Sequence, residues 1–123
     1  MFQRMAGSSG RIIGFRISGT LTAEEARAIL VPELHRAIET YHHIHLLLHL
    51  DGFKGMTSGA IYEELKSSPE VKHIKRIAIV SDAGTGVLGV RLFGAVLLPT
   101  DTRVEYFRSD NLQAAWDWLQ EGK

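Results

Sequence analysis

Ile13, Phe15 and Ile17 alternate with Gly14, Arg16 and Ser18, a period of two that predicts a strand with one apolar face over residues 11–18. A shorter extended piece over residues 2–5 comes before it. The turn cluster Gly7-Ser8-Ser9-Gly10 between the two predicts an opening hairpin. The period then lengthens. Ala26, Ile29, Leu30, Leu34, Ala37, Ile38 and Tyr41 recur every three or four residues, the stripe of an amphipathic helix. Thr22-Ala23-Glu24-Glu25 in front of it is a capping box, in which the threonine oxygen accepts from the Glu25 N–H while the glutamate reaches back. Pro32 removes one backbone hydrogen bond inside this helix and predicts a kink.

Residues 44–50 are apolar without alternation except for their histidines, which predicts a strand buried on both faces. The run ends in Asp51-Gly52, and a glycine-bearing loop is expected to lead to a helix opening at Thr57-Ser58 and running over residues 58–66. Residues 76–81 predict another buried strand, and residues 87–97 a helix that is apolar nearly all round and is stopped by Pro99. Residues 103–107 predict a last strand. Ser109-Asp110 is expected to cap a final helix with Leu112, Ala115, Trp116 and Leu119 on one face. The order β-β-α-β-α-β-α-β-α predicts one α/β domain spanning residues 1–123.

Composition narrows the function classes. The 14 basic residues balance 14 acidic ones, so no overall field recruits nucleic acid, and none is expected as a partner. With no cysteine, disulfides, thiolate catalysis and cysteine-ligated zinc are excluded. The first residues lack the apolar centre of a secretion signal, and no run approaches the roughly 20 apolar residues of a spanning helix, so a cytoplasmic protein is expected.

Several patterns resemble chemistry without carrying it. Gly84-Thr85-Gly86-Val87-Leu88-Gly89 matches the dinucleotide fingerprint letter for letter. However, three residues separate the strand from its first glycine, and only one strand follows it, so a connection is expected and no cofactor. His43, His45 and His49 fall on one strand face by alternation. His49 lies about 13 Å beyond His45, too far to share a metal, and no third ligand is fixed, so no metal is expected. Ser58 lies in no nucleophile elbow, and the paired glutamates fall on helix surfaces, so no catalytic residue is assigned and no enzyme is expected.

The segment Gly14-Phe15-Arg16-Ile17-Ser18-Gly19-Thr20-Leu21-Thr22, then Leu46-Leu47-Leu48 with Asp51-Gly52-Phe53-Lys54-Gly55, resembles the SpoIIAA-like family. So do Arg76-Ile77-Ala78-Ile79-Val80, Val104-Glu105-Tyr106-Phe107 and the terminal Ala115-Trp116-Asp117-Trp118-Leu119. The family is related to STAS domains, the fold of anti-sigma factor antagonists. The resemblance implies a single STAS-like domain, a mixed sheet of four to five strands flanked by about four helices. It also implies a non-catalytic role in binding a hydrophobic small molecule or lipid, with peripheral membrane contact as a further expectation. In the antagonists a serine opening the second helix is phosphorylated and switches a protein partner. Ser58 is the matching position, although Thr57 stands where those proteins carry aspartate.

Two functions are therefore expected. In the first, an apolar ligand binds between the junction at Asp51 and the apolar helix around Leu88, with Phe53, Met56, Leu92 and Phe93 as apolar walls and Thr57 and Ser58 orienting its polar head. In the alternative, the domain binds a protein partner under phosphorylation control at Ser58. Either is compatible with an oligomer.

Overall fold

The apolar run starting at Ile44, interrupted only by His45 and His49, follows from where its strand lies, in the middle of a sheet covered on both faces. The computed structural model describes residues 2–56, 69, 71–82 and 102–122. Within them five strands form one mixed sheet in chain order: β1 (Phe2–Arg4), β2 (Ile12–Leu21), β3 (Ile44–Met56), β4 (Ile74–Ser81) and β5 (Arg103–Arg108). β1 runs antiparallel to β2, with Phe2 opposite Ile17 and Arg4 opposite Phe15, as the predicted hairpin requires. The other three pairs are parallel.

One face carries Ile13, Phe15 and Ile17 of β2, Leu46, Leu48 and Leu50 of β3, and Ile77 and Ile79 of β4. The first helical body seals this face with Leu30 and Leu34. It begins as a single turn, α1 (Ala23–Glu25), passes through a π-helical turn (Ala26–Leu30) and continues as α2 (Val31–Tyr41). The opposite face carries Ile12, Leu47, Ala78 and Val80, sealed by Ala115 and Leu119 of α3 (Leu112–Glu121). A fully buried Leu or Ile side chain contributes roughly 1.5–3 kcal/mol. With five of them, β3 is the strand least tolerant of change.

Two helical bodies thus stand among the described residues, which corrects the expectation of about four. Residues 58–66 and 87–97, where the other two were expected, lie outside the described residues.

The capping box forms: the Glu25 N–H donates to Thr22 Oγ1 at 3.1 Å, and the threonine hydroxyl donates to Glu25 Oε1 at 3.2 Å. The kink expected at Pro32 takes the form of the π turn just before it. Proline has no N–H to give and its ring crowds the carbonyl four residues back, so a wider turn relieves both. The extra residue in that turn rotates the apolar stripe. Ile29, expected on the core face, is therefore 36% exposed.

Two boundaries differ from the sequence reading. Ser109 and Asp110 do not cap the last helix. With Asn111 they form a 3-10 turn, and Asn111 precedes α3 with no side-chain capping bond. The apolar run of β3 does not end in a loop at Asp51-Gly52 either. The strand continues to Met56, pairing Gly19 with Phe53, Thr20 with Gly55 and Leu21 with Met56. Between Ile17–Leu50 and Thr20–Gly55, β3 advances five residues while β2 advances three, so two extra residues bulge from β3. Gly52 at φ 69° and Gly19 at φ 67° supply the backbone conformations this double bulge needs.

Candidate functional site

Strand register lines up one polar row across the face that α3 covers. Gln3 of β1 lies opposite Arg16 of β2, and Arg16 lies opposite His49 of β3. Because alternate residues face the same way, Gly14 and Leu47 belong to this face too. α3 packs its Trp116 ring over Gly14 and over Gly7 of the hairpin turn. A Cβ would lie 2.5 Å from the ring at Gly14 and 2.9 Å at Gly7, so both positions must be bare for the ring to seat.

The start of α3 and the hairpin leave a groove of about 370 Å³ above the polar row. Gln3, Arg16 and His49 supply its polar side, and Met5, Ala6 and Leu112 its apolar side. Arg16 Nη2 pairs with Asp51 Oδ2 at 2.7 Å, with both side chains half exposed. Burial pushes the His49 imidazole below its ordinary pKa. Asp51 and Asp82 pull it upward and Arg16 pushes it further down.

Among the predicted site residues, Asp51 joins this region through Arg16. Phe53 and Met56 belong to the continuation of β3, their backbones paired with Gly19 and Leu21. Thr57, Ser58, Leu88, Leu92 and Phe93 lie outside the described residues, as does the glycine-rich segment starting at Gly84. The sequence reading missed Gln3, Met5, Arg16 and Leu112. The alternation of Arg16 with Ile13, Phe15 and Ile17 marks it as facing away from the first core, but only the β1–β2–β3 register places it beside Gln3 and His49.

The three histidines divide differently from expectation. His45 and His49 share the α3 face with Leu47, whereas His43 precedes the strand. His45 is completely buried, and its Nδ1–H donates to the Leu119 carbonyl at 2.7 Å. Arg76 Nη1 donates to the neighbouring Trp118 carbonyl at 2.7 Å, and its guanidinium lies 4.8 Å from the centre of the Trp118 ring. These two side chains satisfy carbonyls of the last turn of α3, which have no partner within the helix. His45 Nε2 is buried with no partner. Burial holds this imidazole below its ordinary pKa, and Arg76, His43 and Arg11 lower it further against the opposing Leu119 bond. Among the described residues no three His, Asp or Glu side chains are grouped to hold a metal, and no helix is long and apolar enough to cross a membrane.

A mixed five-stranded sheet with helices on both faces and a small groove beside its antiparallel edge is the frame of a small α/β binding domain. The SpoIIAA-like family profile matches residues 12–120, and the chain belongs to that family. A solved structure with the same architecture is that of an uncharacterised protein from Shewanella loihica PV-4, described as having a SpoIIAA-like fold. It superposes with a TM-score of 0.70 at 20% identity, over 97% of this chain and 92% of that one. At this identity the likeness is one of fold. No curated protein matches the chain.

Proposed function

We propose that this SpoIIAA-like domain is a non-catalytic binding module, and that its groove takes a small amphiphilic molecule or the end of a lipid chain. SpoIIAA-like domains are generally non-catalytic. The observation that carries the reading is the division of the groove into two sides. Arg16, His49 and Gln3 meet a polar head from the sheet, and Met5, Ala6 and Leu112 meet an apolar tail from the hairpin and α3. Its volume of about 370 Å³ falls within the range of small-ligand sites. The Arg16–Asp51 pair is half exposed, and such pairs contribute roughly 0–1 kcal/mol, so a ligand head group can displace Asp51 at little cost.

Native mass spectrometry of gently purified protein tests this, together with thermal shifts in a series of fatty acids and fatty alcohols. A copurifying amphiphile, or stabilisation that Arg16→Ala abolishes, supports the groove. A bare mass together with no stabilisation by any member of the series overturns it. Regulation of a protein partner by phosphorylation of Ser58 is the alternative, and its support is the sequence alone. Identical partner sets for the wild type and Ser58→Asp would remove it.

A further inference from the structure

The two ends of the parallel strands differ in charge although the chain as a whole is neutral. At the carboxyl end, the charges acting on the half-buried His49 are mixed, with Asp51 and Asp82 set against Arg16. At the amino end, burial lowers the pKa of His43, and Arg11, Lys75 and His42 lower it further, with no carboxylate opposing them. Among the described residues no carboxylate pairs with Arg11, Lys72, Lys75 or Arg103, which all lie at this edge.

We propose that this amino-terminal edge is an anion site for a phosphate-type group, held by the guanidinium of Arg11, the ammonium of Lys75 and the imidazole of His43. Three separate pieces of chain geometry bring these groups together. Arg11 precedes β2, and its carbonyl accepts from the His45 N–H at 2.9 Å, which places it beside the start of β3. His43 is set by the residue before it: α2 ends at His42 with φ 68°, a non-glycine residue in the left-handed region. Such a conformation costs of order 1–3 kcal/mol and recurs at functional positions. Lys75 is the extra residue of a bulge, because Ile44 pairs with Ile74 and His45 already pairs with Arg76. Bulges re-aim a side chain, and Lys75 is exposed.

The contact between Arg11 and His43 is the informative one. A guanidinium N–H of Arg11 is directed at His43 Nε2, so the ring nitrogen faces a cation's proton. The other side of the guanidinium rests over the Tyr41 ring, 5.8 Å from its centre. Two basic side chains held against each other, with a lysine beside them, repel any further positive charge and attract a compact anion. A phosphate group matches the set best. Its three or more oxygens and its charge of up to minus two let the guanidinium fork, the ammonium and a protonated imidazole each meet a separate oxygen, where a carboxylate offers only two oxygens and a single charge. Side-chain capping at the nearby helix ends falls to other residues: Arg76 and His45 meet the Trp118 and Leu119 carbonyls of α3, and His73 meets the His42 carbonyl after α2.

When the anion binds, His43 takes up a proton on Nε2 and Arg11 turns its N–H groups to the ligand. The groups facing His43 are Arg11 just before β2, Lys75 from β4, His45 from β3 and His42 from its own turn. All are cationic or can become so. Binding therefore strengthens as pH falls through the range where His43 titrates. The site lies at the opposite end of the strands from Arg16 and His49, so neither binding claim depends on the other.

The test is the titration of His43, followed through its imidazole proton resonances in inorganic phosphate and in chloride of matched ionic strength. Phosphate is expected to raise the apparent pKa of His43 by about half a unit or more relative to chloride. Arg11→Gln and the exposed Lys75→Gln are each expected to weaken phosphate binding by about tenfold. Superimposable His43 titrations in the two salts overturn the proposal, and so does undiminished phosphate binding by a folded Lys75→Gln. Vesicles of phosphatidylcholine with and without phosphatidic acid identify the source. Retention by the doped vesicles alone, lost in Lys75→Gln, assigns the phosphate to a lipid head group. Phosphate binding without retention assigns it to a soluble ligand.

Discussion

Replacing Gly14 by alanine sets two effects of opposite sign against each other. Alanine restricts the unfolded chain and on that account stabilises by about 0.4–1 kcal/mol. In the folded protein its Cβ would lie 2.5 Å from Trp116 Cη2, 3.1 Å from Cζ2 and 3.4 Å from Met5 Sδ. Carbon atoms pack at about 3.5–4.0 Å, so the indole must retreat by about 1 Å. It has little room, because Gly7 lies against the same ring and α3 is fastened at its far end by His45 and Arg76. Overpacking of this kind costs about 1–3 kcal/mol and outweighs the entropic gain, for a net loss of about 1–2 kcal/mol. With a denaturant slope of about 1–3 kcal/mol per molar urea, the unfolding midpoint followed by tryptophan fluorescence should fall by roughly half to one molar. Trp116→Leu removes the clashing ring atoms, so Gly14→Ala should cost far less in that background, a coupling of about 1 kcal/mol or more. An unchanged or raised midpoint for Gly14→Ala, or equal effects in both backgrounds, would refute the claim that Trp116 is seated on bare backbone.

Three further outcomes are expected. The pKa of His45 is lowered by folding, so the unfolded state binds more protons as pH falls below about 6.5 and stability, complete above that pH, declines in acid. His45→Phe should be less stable at neutral pH by about 1 kcal/mol through the lost Leu119 bond, yet lose less on acidification, and an unchanged acid slope in chemical denaturation would count against a buried neutral His45. Leu47→Ala, at a position with no exposure, should lose about 2–5 kcal/mol, whereas Ile29→Ala should stay within about 0.5 kcal/mol because the π turn has moved Ile29 outward. Equal losses in thermal melts would restore the uninterrupted helical stripe. Arg16→Ala should change stability by less than about 1 kcal/mol while removing ligand stabilisation in the groove, so a large loss of stability would show that Arg16 is structural.

Much of the fold is legible in the sequence, and much less of the site. Period-two alternation in Ile13, Phe15 and Ile17 and the capping box at Thr22 and Glu25 are local signals, and both recur in the structure. Asp51-Gly52 misleads because the dipeptide that commonly marks a turn also suits a bulge, and the choice depends on whether a neighbouring strand continues alongside. Here β2 runs on to Leu21 and keeps β3 extended. The phase of the first helix misleads for a related reason: the chain shows where Pro32 is, but not that the turn before it widens. The groove at Arg16 and the basic edge at Arg11, His43 and Lys75 each join residues that are far apart in the chain and are brought together by pairing between strands.

Local pattern by itself determined the strands, the first and last helices, the membership in an α/β class and the absence of thiol chemistry, because these depend on residues within a turn or two of one another. Only the tertiary structure decided which polar side chains meet. Register between strands sets that, and one residue of slip moves a side chain to the opposite face. The bulge that takes Lys75 out of the pairing and the pairing that aligns Gln3, Arg16 and His49 are consequences of register, and register belongs to the assembled sheet.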